Sequence, residues 1–116
     1  MDRDELIAYC LEKPGAAETY PFGEGELVAK VGGKGFAFLG LGKPPGGVSL
    51  KCGRNAEEAA EWRDRFPDAI TVSAYIGRFG WNAVSLDGAV PADDLRELVD
   101  LSYDTIVRKL PKSKRP

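Results

Sequence analysis

A chain of 116 residues, 43% hydrophobic and 29% charged, fits one globular domain that can bury roughly two thirds of its unfolded surface, and no apolar run approaches the ~18 to 20 residues of a membrane span. Sixteen Lys and Arg against 18 Asp and Glu leave a formal charge of −2, which argues against nucleic-acid binding over the entire surface and confines any such site to a local patch. With no His, and with Cys10 and Cys52 far apart and outside any CxxC spacing, most hydrolase and metalloenzyme classes lose their usual groups; no cofactor or metal is expected, and both thiols are expected to be buried.

The chain opens with MDRDELIAYC, an acidic helix turn rather than a basic stretch leading into an apolar segment, so export is not indicated and a cytoplasmic location is expected. This first helix starts near Asp2 or Asp4, with Glu5 completing a capping-box pattern after Asp2, and buries Leu6, Ile7, Cys10 and Leu11 before Pro14 and Gly15 end it. Tyr20-Pro21-Phe22-Gly23 is expected to form an ordered loop in which Tyr20 or Phe22 plugs the core.

From Glu26 to Leu41 two alternating segments flank Gly32-Gly33, the pattern of a two-residue β-hairpin. With those glycines as the turn, Val31 should face Lys34, Ala29 should face Phe36 and Leu27 should face Phe38, leaving Glu26, Val28, Lys30 and Ala37 on the opposite side. The GKPPGG run is a loop, and Val48 to Cys52 forms a third strand whose Lys51 points the same way as Lys30. Asn55 with Glu58 opens a second helix, with Ala59, Trp62 and Phe66 inward and Pro67 as its stop.

A fourth strand is expected from Ile70 to Tyr75, then a turn through IGRFG and a fifth strand from Trp81 to Leu86, with Asn82, Val84 and Leu86 inward and Trp81, Ala83 and Ser85 outward. The last helix begins at or near Pro91 and aligns Leu95, Leu98, Val99, Ser102, Ile106 and Leu110 on one face. The expected fold is an α+β two-layer sandwich, an antiparallel sheet with helices on one face in the order α-β-β-β-α-β-β-α. It forms one domain over residues 1–116, of which 111–116 are a basic tail.

Chemistry is sought on the open sheet face. Alternation places Lys30, Lys51 and Trp81 there, with Arg78 just before the last strand, Lys34 at the hairpin tip and Arg54 after the third strand. Cations around an aromatic platform suit nucleic acid: bases stack on the indole, the cations meet phosphates, and the hairpin acts as a wing along the backbone. The structural alternative is that the lysines solubilise the face and a neighbouring loop buries Trp81. VGGKG lacks both phosphate-loop patterns and joins strand to strand. Glu57-Glu58 and Asp93-Asp94 lie in helix first turns, where the dipole explains them, and Ser102 has no base to activate it, so no catalytic residue is assigned.

The stretch PGAAETYPFG from Pro14, the strands around GGK, LKC at Leu50, WNAVSLDG from Trp81 and SYDTIVRKLPK from Ser102 together resemble the MmcQ/YjbR family, small bacterial domains often described as DNA-binding. The likeness runs along nearly the full chain. It implies a compact α+β domain that binds DNA through a double-wing surface; with no catalytic residue assigned, the expected function is non-enzymatic. One departure is visible: where the family carries a basic residue, one further residue and His ahead of Trp-Asn, this chain has Arg78, Phe79 and Gly80. The expected partner is therefore DNA. A protein-interaction module, homodimeric in one version, is the rival reading, and a small-ligand pocket near Tyr20, Phe22 and Trp81 is a third.

Overall fold

Asp2 caps the first helix as its spacing to Glu5 predicts: its carboxylate accepts the Glu5 N–H at 2.9 Å while Glu5 accepts the Asp2 N–H at 3.1 Å, satisfying two orphan donors. The computed structural model describes residues 1–74 and 76–116. In it, α1 (Arg3–Leu11) is followed by β1 (Ala17–Thr19), β2 (Glu26–Val31), β3 (Lys34–Gly40), β4 (Gly47–Lys51), α2 (Ala56–Arg65), β5 (Ile70–Val72), β6 (Trp81–Ser85) and α3 (Ala92–Lys109). Single 3-10 turns cover Gly77–Phe79 and Lys112–Lys114.

The strands form one antiparallel sheet in the order β1-β2-β3-β4-β6-β5, and α3 packs on its centre while α2 lies against β5 and β6. This is the expected two-layer α+β sandwich, with β1 as an additional edge strand. Three residues with no apolar alternation gave β1 no signal of its own; pairing with β2 creates it. The fourth expected strand is shorter, ending at Val72, although the Ser73 N–H still reaches the Trp81 carbonyl at 3.2 Å. Tyr75, assigned to that strand from the sequence, lies outside the described residues.

The hairpin register departs from the expected one. Val31 does face Lys34, but Ala29 faces Ala37 and Leu27 faces Leu39, because a bulge at Phe36 inserts one residue into β3. The bulge lets Phe36 turn to the helix layer, where its ring meets Tyr103 edge-on at 5.3 Å, while Ala37 and Leu39 also face that layer. Phe38 is thereby sent to the other face. Gly35 permits this, since a Cβ there would lie 2.7 Å from the Phe38 ring and 2.9 Å from Val28.

Tyr20 and Phe22 do not plug the core. Tyr20 turns its hydroxyl to Glu18 and Phe22 stands 70% exposed, while Leu27 and Leu39 fill the core at the paired positions of β2 and β3. Asn82, by contrast, is inward as expected and fully buried. Its amide donates to the Ala59 carbonyl at 3.0 Å and its oxygen accepts from Arg63 at 2.8 Å, which ties α2 to β6.

Candidate functional site

The sheet end that carries the β2–β3 turn gathers most of the sequence-selected cations. Lys30 lies opposite Gly35, Lys34 opens β3, and Lys51 closes β4 opposite Trp81, the first residue of β6. Arg78 sits in the 3-10 turn just before Trp81. From β2 to β6 this row spans about 14 Å at the usual strand spacing. The end of α3 arrives at the same place: a Cβ on Gly32 would lie 2.6 Å from Leu110 and 3.1 Å from the Lys114 carbonyl. The hairpin turn is therefore braced on its Gly32 side, while a Cβ on Gly33 would meet nothing within 4 Å.

Two members of the set differ from expectation. Of the two readings of Trp81, open stacking platform or buried residue, the second holds: it is only 9% exposed, edge-on to Phe38 at 5.4 Å and beside the paired Lys51. Lys51 was expected as an exposed cation; it is 3% exposed and its ammonium donates to the Phe79 carbonyl. Burial lowers the Lys51 pKa from its ordinary value, and the neighbouring Lys109 pushes it the same way. Lys51 is held by the turn Gly77–Phe79 through the Phe79 carbonyl, and Trp81 packs on Phe38. Strand alternation sets the face of a side chain, not what covers it.

Arg54 is exposed but paired, its guanidinium 2.7 Å from Glu58 one helical turn on. Lys30, Lys34 and Arg78 make no ion pair among the described residues, nor do Lys109, Lys112 or Lys114 on the adjoining helix end and tail. Arg78 lies over the ring of Phe79 at 4.7 Å, and that ring is half exposed. Arg115 is engaged otherwise, donating to the Leu110 and Arg108 carbonyls at 2.9 Å and so closing the C-terminus of α3. Cations at a helix C-terminus complement its dipole, and the docking of Leu110 on Gly32 makes these lysines neighbours of the hairpin as well.

Farther along the same sheet face lies a groove of about 550 Å³, lined by Phe22, Glu26, Phe38, Ser49, Ala74 and Ile76. The Ser49 hydroxyl is 3.2 Å from that of Ser73, across the sheet from the helices. Neither cysteine approaches this groove or the basic end as a reactive group: burial pushes the Cys10 thiol up to about 12 and the Cys52 thiol to about 11. No cluster of potential metal ligands occurs among the described residues, and no described helix is long and apolar enough to cross a membrane.

Comparison with known proteins places this geometry in a family. A family model described as YjbR matches residues 11–105. The uncharacterized protein YjbR of Escherichia coli K12 is 32% identical over 115 residues, covering 99% of this chain and 95% of that protein. A crystal structure from Deinococcus radiodurans, with a DUF419 domain, superposes with a TM-score of 0.87 at 33% identity, over 97% of this chain and 84% of the other. A Pseudomonas syringae protein shares the fold with a TM-score of 0.69 at 18% identity, over 90% of this chain and 98% of that one.

Proposed function

Because the chain belongs to the YjbR family, and a fold does not by itself fix a function, we propose from its own surface that it is a non-enzymatic nucleic-acid-binding domain whose contacts are to the phosphate backbone. The observation that carries this is the braced hairpin end. Strand ends, 3-10 turn and helix C-terminus converge there, and Lys30, Lys34, Arg78, Lys109, Lys112 and Lys114 present charge with no carboxylate partner among the described residues. In a chain of net charge −2 such segregation creates a local positive field that the composition conceals. Lys51 serves this surface from beneath, holding the Gly77–Phe79 turn that carries Arg78 through the Phe79 carbonyl. The inert thiols and the lack of His favour the non-enzymatic reading.

Titrating a short DNA duplex into isotope-labelled protein at low salt tests it. The amides of Lys30, Lys34, Arg78 and Lys109 should shift together, and Lys34→Glu should weaken binding for every DNA sequence alike. Shifts confined to residues 111–116, or none at low salt, would end the nucleic-acid reading and leave the protein-interaction module in its place.

A further inference from the structure

The groove on the helix-free sheet face has a chemistry opposite to that of the basic end. Its apolar walls are Phe22, Phe38, Ala74 and Ile76, and its polar groups are the Glu26 carboxylate and the Ser49 hydroxyl. Glu26 makes no ion pair among the described residues. The adjoining chain supplies no cation to offset it, since residues 14–29 contain no Lys or Arg. Phe22 lines the groove and is 70% exposed, so its ring is available to a ligand.

These features select among ligand classes. A phosphate or carboxylate ligand would face an uncompensated Glu26, and a purely apolar ligand would desolvate that carboxylate without pairing it. A cation with an apolar body satisfies both parts, pairing with the carboxylate and lying against aromatic faces whose quadrupole attracts positive charge. The volume of about 550 Å³ is within the range of small-ligand sites. We propose that this groove binds a small organic cation, an aryl- or alkylammonium, with its charge at Glu26 and its apolar portion against Phe22 and Phe38. The proposal shares no residue with the basic end and stands apart from the nucleic-acid reading.

Phenethylammonium, its neutral analogue 2-phenylethanol and the anion phenylacetate, each titrated into labelled protein at neutral pH, form the test. Phenethylammonium should shift the amides of Glu26, Phe38, Ser49 and Ala74 and bind about tenfold more tightly than the alcohol, with phenylacetate weakest. Glu26→Gln should erase the preference for the cation while leaving the alcohol's affinity unchanged, and Phe22→Ala should weaken all three; both positions are at the surface, and spectral dispersion confirms that each variant is folded. Equal binding of ammonium and alcohol, a preference that survives Glu26→Gln, or no shift at millimolar probe would overturn the proposal. So would an arginine-containing tetrapeptide that binds at the same amides more tightly than phenethylammonium, which would make the groove a peptide-docking surface.

Discussion

Ser102 shows what a single buried hydroxyl does in this fold. The β3–β4 ladder pairs Ala37 with Leu50 but opens at the next position, where the Phe36 bulge turns away from Lys51. Ser102, fully buried on α3, fills the break: it accepts the Lys51 N–H at 3.0 Å and donates to the Phe36 carbonyl at 2.6 Å. Ser102→Ala therefore strands a donor and an acceptor and should cost about 1 to 3 kcal/mol, read as a lower urea midpoint with unchanged slope. Lys51 supplies a second residue-level test. Its folded pKa lies below the ordinary lysine value, so between the two the unfolded chain binds more protons and stability attributable to Lys51 rises with pH. Tyr9 and Tyr103, whose pKa values are raised by burial, and Lys13, raised by its pairing with Asp100, act in the opposite sense at higher pH. The stability difference between the parent and Lys51→Met isolates the term: it should shift in favour of the parent as pH approaches 10 from below, and a flat difference would refute it.

At the level of elements, the turn before β6 is packed so closely against the chain after β4 that Gly80 has no room for a side chain. Gly80 has φ of 90°, and a Cβ there would lie 2.7 Å from the Gly53 carbonyl and 3.0 Å from that of Asn55, both backbone atoms that cannot step aside. The close approach also lets the Cys52 N–H reach the Gly80 carbonyl at 2.7 Å. Gly80→Ala should thus destabilise the protein by at least about 2 kcal/mol, and a His at this position would distort the turn before it could contact a ligand. Thermal unfolding of Gly80→Ala beside Gly33→Ala, whose φ of 82° is also positive but whose Cβ would meet nothing within 4 Å, separates crowding from backbone strain. The regular elements were legible because capping at Asp2 and Asn55, the Gly32-Gly33 turn and the α3 stripe are local signals. The Phe36 bulge, strand β1 and the burial of Lys51 were not, since each arises from a tertiary partner: Tyr103 for Phe36, β2 for β1, and the Phe79 carbonyl for Lys51. Alternation gave the correct face for Lys51 and Trp81 but not their exposure.

The molecule as a whole is electrically polar along its uncovered sheet face, with unpaired cations at the hairpin end and the Glu26 groove beyond. Net charge near zero then predicts weak, oriented association with a polyanion rather than indiscriminate adhesion. If three or four phosphates are neutralised at the basic end, log K against log salt should have a slope of about −3 for duplex DNA, each contact contributing about 0.9. Lys34→Glu and Lys109→Glu should each reduce that slope by about one, because both side chains are exposed and unpaired at the converging strand and helix ends. Arg54→Ala should change it little, since Glu58 already holds that guanidinium. Glu26→Gln, remote from the patch, should leave the slope untouched while abolishing selectivity in the groove, so the two surfaces can be scored in one set of variants. A slope near zero, or one that Arg54→Ala alters as much as Lys34→Glu does, would mean that the convergence of cations at the hairpin end has no role in binding.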